Sequence, residues 1–173
     1  IAAAGIAMLV LLNVSNYSVL AKSLAVLGGL IGCIAFSGSF FAYLRLRGYL
    51  VRRAGFAQRQ VAYIASGALV LLLGLILAAS PTAHPVVLLL FVGLAISFGI
   101  LMTLPTSAAD MPVLISLYNA LTGLAVAFDG FVLENPAMVV AGTIVFAAGS
   151  LLTRLMAKSV NRRLSEIMYS GFG

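Results

Sequence analysis

Five long apolar runs constrain this chain more than any other feature. They occupy residues 19–44, 61–79, 86–104, 113–132 and 137–157, and short polar or basic connections separate them. Each is close to the roughly 20 helical residues needed to cross a hydrocarbon layer about 30 Å thick. Helices satisfy their own backbone groups, as a segment without water must. Hydrophobic residues make up 63% of the chain and charged residues 8%, against about 25% charged in soluble domains. The expected fold is therefore all-α, a polytopic transmembrane helix bundle, with the lipid bilayer as its first partner.

A sixth apolar run, residues 1–12, is too short to span. It leads straight into the polar turn Asn13-Val14-Ser15-Asn16-Tyr17. It reads as the C-terminal half of a truncated span, so the chain is expected to be an excerpt of a longer polypeptide: one membrane domain over residues 1–173. No basic region precedes this run as it would in a signal peptide.

Charge sets the orientation. Arg45, Arg47, Arg52, Arg53 and Arg59 crowd one connection that holds no acid, and Lys and Arg mark the cytoplasmic side. Alternating from there, the last span brings Arg154, Lys158, Arg162 and Arg163 to the same side. Only Lys22 falls near the outer end, where its stem could let it snorkel to water. The net charge of +6 is thus topology, and nucleic acid is not expected as a partner. The single cysteine, Cys33, excludes an internal disulfide and argues against a cysteine-ligated metal.

Few polar groups interrupt the spans. At 100° per residue Ser116, Asn119, Thr122, Gly123, Ala127 and Gly130 share roughly one face of the 113–132 helix. Two readings stand for this stripe: a helix contact in which the amide bonds across to a neighbour, or a path whose groups hold water for proton or ion passage. Asp129 is the only carboxylate inside a span; near the outer end it could reach water at small cost, as an interface anchor or in an outer vestibule. Asp110, just before Pro112 on the inner side, could cap the following helix or pair with Arg162 or Arg163. The cap is the simpler reading from spacing alone. His84 sits in an outer turn between prolines and reads as a loop residue. Gly28, Gly32, Gly38, Gly123 and Gly149 are expected at close helix contacts, Gly28 and Gly32 as a GxxxG pair. The span hydroxyls Ser37, Ser39, Ser97, Thr143, Ser150 and Thr153 can bond their own helix and need no function. No nucleophile has a base beside it, and no metal-spaced cluster exists.

Taken together, Asp110-Met111-Pro112, Asn119 nine residues on, Gly123, the run Met156-Ala157-Lys158-Ser159-Val160-Asn161-Arg162, the terminus Gly171-Phe172-Gly173 and Ala35-Phe36-Ser37-Gly38-Ser39 resemble the membrane domain of the proton-translocating NAD(P) transhydrogenase beta subunit, from about residue 20 onward. The resemblance implies proton movement through this domain, coupled to hydride transfer between NADH and NADP in soluble domains. It implies Asn119, with Ser116, Thr122 and Asp129, on the proton path, and Asp110 and Arg162 where the membrane domain meets an NADP-binding domain expected after residue 173. NAD(H) and NADP(H) would bind in the partner domains, with no cofactor in this chain. The other implied partners are an NAD-binding domain, further transmembrane helices and a second copy of the whole enzyme. The membrane would be a bacterial plasma membrane in preference to a mitochondrial inner membrane.

The chain departs from the family pattern in three places. The proton-handling histidine would precede Ile1, and His84 does not match it. Ala147 and Ala148 stand where hydroxyl side chains are expected, and Asp129 where a small apolar residue is expected. Two other classes remain open: a secondary transporter binding a solute or ion near Asn119 and Asp129, and a helix bundle that only scaffolds a partner.

Overall fold

The computed structural model describes residues 2–12, 17–48, 56–80 and 84–169. The turn at 13–16, Arg52, Arg53, Pro81 and the Gly171-Phe172-Gly173 terminus lie outside the described residues. The described residues form seven helices and no strand: α1 (Ala2–Leu12), α2 (Val19–Leu46), α3 (Phe56–Ala79), α4 (Pro85–Thr103), α5 (Met111–Val132), α6 (Pro136–Ser159) and α7 (Leu164–Tyr169). Five of them, α2 to α6, are long and apolar enough to cross a membrane. The chain is an all-α, multi-pass helix bundle.

Local chemistry explains the boundaries. The Ser18 side chain accepts from the Ala21 N–H and starts α2; Asn135 does the same for Met138 N–H at α6, each filling one of the open donors of a first turn. Pro85, Pro112 and Pro136 sit in first turns, where a missing N–H costs nothing. His84 is the exposed residue just before α4 and caps nothing with its ring. Arg59, read as part of the basic loop, instead lies within α3, which begins at Phe56.

Helix α2 is the hub, packing against α1, α3, α4 and α5, while α5 pairs along its length with α6. The α5–α6 seam is antiparallel and built from small residues. A Cβ added at Gly123 would lie 2.7 Å from Phe146 N, at Gly142 2.5 Å from Ala127 N, at Gly130 2.7 Å from Val139 N and at Gly149 2.8 Å from Ala120 Cβ. Positions 120, 123, 127 and 130 thus meet 149, 146, 142 and 139, in steps of three and four that keep one face of each helix in register. The lack of Cβ atoms lets the backbones approach, as packing between helices in lipid requires.

Three contacts tie helix ends to one pole of the bundle: Arg45 donates to the Leu104 carbonyl at the end of α4, Asp110 meets Arg162, and Ile167 of α7 is buried with Val113 and Ala157. At the other pole Val132 packs with Ala7, Val10, Ala21 and Ala25. The basic residues Arg45, Arg154, Lys158, Arg162 and Arg163 therefore share one pole. Lys22 differs from expectation. It is buried rather than extended to solvent, because it lies among Ala21, Ala25 and Val26, the residues through which α2 packs.

Candidate functional site

The pole that carries the arginines holds a hydrogen-bonded polar constellation of Asp110, Arg162 and Ser107. Two backbone devices build it. At the end of α6, Arg162 N–H donates to the Ala157 carbonyl and Asn161 N–H to the Lys158 carbonyl. Asn161 takes the left-handed conformation (φ 54°) that closes such a turn, one that asparagine tolerates better than most residues. This reversal turns Arg162 back toward the bundle. Across from it, Asp110 N–H donates to the Ser107 carbonyl and Val113 and Leu114 N–H to the Asp110 carbonyl, fixing Asp110 at the start of α5.

Asp110 Oδ2 accepts from Arg162 Nη1 at 2.9 Å and from Ser107 Oγ at 2.7 Å. The carboxylate makes no side-chain cap hydrogen bond to α5. The simpler reading of Asp110 as a helix cap is thus replaced by the ion pair with Arg162, because its backbone is already helical and its side chain turns toward Ser107. Arg163 does not join this pair. Its backbone N–H instead donates to Glu166 Oε2 as the first turn of α7 begins, a helix absent from the sequence reading.

About two turns into α5 at 3.6 residues per turn, Asn119 is exposed and lines a shallow groove of about 350 Å³ with Ser39, Ser116, Thr122, Leu152 and Met156. The stripe read from the sequence splits here. Gly123, Ala127 and Gly130 are buried against α6, while Asn119 and Thr122 stand at the rim. Ser116 is 3.0 Å from Thr153 Oγ1. Since Thr153 spends its proton on the Gly149 carbonyl, Ser116 is the donor. Thr122 donates to its own helix at the Tyr118 carbonyl.

Asp129 is not where a carboxylate could reach water. It is buried, Oδ1 has no hydrogen-bond partner among the described residues, and a Cβ at Gly28 would lie 2.8 Å from that oxygen. The glycine that lets α2 approach also seals the carboxyl in. Asn119 and Asp129 are ten residues apart, about 15 Å along α5 at a rise of 1.5 Å per residue, and Asp129 does not line the Asn119 groove. Gly38 faces the Tyr118 ring, with a Cβ position 2.5 Å from it, and Gly32 is buried within α2.

Several participants were not singled out from the sequence. Tyr118 is fully buried, and its hydroxyl lies 2.8 Å from Thr103 Oγ1. Thr103 donates to the Gly99 carbonyl, so the phenol donates to Thr103. Ser39, counted among hydroxyls without a role, lines the Asn119 groove. The proline-flanked Ser107-to-Asp110 turn was visible, but nothing local shows that its serine bonds the aspartate. Among the described residues no group of three or more His, Cys, Asp or Glu converges as a metal site.

The family model for the NAD(P) transhydrogenase beta subunit matches residues 1–173. Two curated relatives, both NAD(P) transhydrogenase subunit beta of Rhodospirillum rubrum, are 33% identical over 147 residues, covering 85% of this chain. The chain spans about a third of the length of these relatives, 32% in each case. On these matches and the helix bundle they accompany, the chain belongs to the NAD(P) transhydrogenase beta subunit family.

Proposed function

We propose that this chain forms part of the membrane domain of a proton-translocating NAD(P) transhydrogenase, in which proton movement is coupled to hydride transfer between NADH and NADP. The observation that carries the reading is the open groove at Asn119. An amide and three hydroxyl-bearing residues, Ser39, Ser116 and Thr122, line it within the spans, in the half of α5 nearer the arginine pole. Polar side chains at that depth face protein or water rather than hydrocarbon. The groove is then one wall of a hydrated proton path, and further helices supply the other wall together with the titrating group. Asn119 orders water there, assisted by Ser116 and Thr122. Asp129, sealed against Gly28, is a poorer candidate for the route.

At the arginine pole, Asp110 and Arg162 would meet an NADP-binding domain. A charged pair held by Ser107 on one helix start and by the Asn161 turn on another can transmit a shift of α6 against α5. NAD(H) and NADP(H) bind in the soluble domains, and this chain holds neither. The working enzyme would be a dimer in a bacterial plasma membrane, its basic pole cytoplasmic.

The test is Asn119→Leu in the full enzyme, reconstituted in sealed vesicles. Proton movement and coupled hydride transfer are both expected to fall. Full activity of both in that variant would overturn the assignment.

A further inference from the structure

Beside the Asp110–Arg162 pair, a separate groove of about 670 Å³ opens on the last turns of α6. Arg154, Lys158 and Arg163 line it, all exposed. None of their side chains makes a hydrogen bond or ion pair among the described residues. The one acid in the groove, Glu166, is turned to the Arg163 backbone N–H. Arg162 borders the groove but its guanidinium is committed to Asp110. Three cations without a side-chain partner therefore converge on one concavity against a single carboxylate, leaving a net excess of positive charge there.

Helix-terminus electrostatics explain only part of this. Lys158 in the last turn suits the negative end of α6. Arg154 lies a turn deeper, about 6 Å toward the bilayer centre, beyond the reach of that effect. On the adjoining face Leu151 and Leu155 are 60% and 55% exposed, so a surface for an acyl chain runs directly below the cations. A water-soluble partner could meet Arg163 and Lys158 but would not descend to Arg154 and the leucines.

We infer that this groove is a binding site for one anionic glycerophospholipid of the leaflet at the arginine pole. Its phosphate would be held by Arg154, Lys158 and Arg163, and an acyl chain would lie along Leu151 and Leu155. Basic pockets at the cytoplasmic ends of transmembrane helices suit such headgroups, and the guanidinium fork of Arg154 suits a phosphate.

The experiment uses the full enzyme, purified and delipidated in a neutral detergent, with thermal unfolding as the readout. Added dioleoylphosphatidylglycerol should raise the melting temperature saturably, whereas dioleoylphosphatidylcholine or inorganic phosphate at equal concentration should not. Arg154→Gln and Arg163→Gln should each weaken the apparent affinity for the anionic lipid about fivefold, the factor expected for one basic residue at an anionic surface. If Arg154→Gln fails to fold, Arg163→Gln and the comparison of lipids on the unaltered enzyme still decide. Equal responses to the two lipids, a response to inorganic phosphate alone, or unchanged lipid affinity in the variants would each overturn the inference. So would loss of soluble-domain association in the variants with an unaltered lipid response, which would give the groove to a protein partner.

Discussion

Asp110 and Arg162 meet across 2.9 Å with unequal exposure: the aspartate side chain is 3% accessible and the arginine 48%. The pair joins the start of α5 to the turn after α6. Removing the arginine strands a buried carboxylate with Ser107 as its remaining side-chain partner, whereas Asp110→Asn leaves a neutral group in the same place. Arg162→Gln is therefore expected to cost more stability than Asp110→Asn, about 1–2 kcal/mol after allowing for the solvent around Arg162. The double variant should recover part of that loss. Thermal unfolding of the four proteins in detergent checks this, and strictly additive costs would refute the coupling.

The α5–α6 seam gives a second expectation. Gly142→Ala places a methyl 2.5 Å from Ala127 N, a backbone atom that cannot turn aside. A loss of about 1–3 kcal/mol follows from overpacking. Gly93→Ala, on α4 with no atom within 4 Å of its Cβ position, is the matched control and should not lower the melting temperature. Equal melting temperatures for the two variants would mean that the seam is not closed as described.

Glu134 adopts φ 52° in the turn between α5 and α6. Its N–H donates to the Phe131 carbonyl and that of Asn135 to the Gly130 carbonyl, the same closure that Asn161 makes after α6. A glutamate pays a steric penalty there that glycine avoids. Glu134→Gly should stabilise by about 0.5–1 kcal/mol. Asn161→Gly should gain less, since asparagine already tolerates the conformation. Comparing the two melting curves tests the order.

Tyr118 and Thr103 form a directed chain, phenol to threonine to the Gly99 carbonyl. Thr103→Val leaves a fully buried phenol without an acceptor and should cost about 1–3 kcal/mol. Tyr118→Phe removes only a donor, since Thr103 keeps its bond to Gly99, and should cost less. Denaturant or thermal unfolding of both variants would expose a reversed order, which would mean that the proton runs the other way.

Much of the fold was legible in the chain. Helix starts at Pro85 and Pro136 fell within a residue of the sequence reading, since proline in a first turn is a local signal. The α6 end did not: the sequence reading ended the span at 157 and placed no turn or helix after it, yet Asn161 closes α6 after Ser159 and Glu166 caps the start of α7. The candidate site was legible as residue types rather than as partners. Asp110 and Arg162 were named, and their pairing stood beside a cap as an alternative, because 52 intervening residues carry no local trace of contact. Asp129 was placed near water by its depth, and the opposing Gly28 buried it instead.

The sequence alone determined that this is a multi-pass helical membrane protein with its arginines at one pole. Span length, proline and charge placement are one-dimensional quantities read against a bilayer of fixed thickness. Only the tertiary structure decided which face of each helix is inside. In lipid, apolar surface does not mark the interior, and close packing of small residues does. Glycine and alanine on α5 and α6 match over a run of turns, and their register splits the polar stripe and leaves Asn119 at the edge of an open groove, while the approach of α2 at Gly28 hides Asp129.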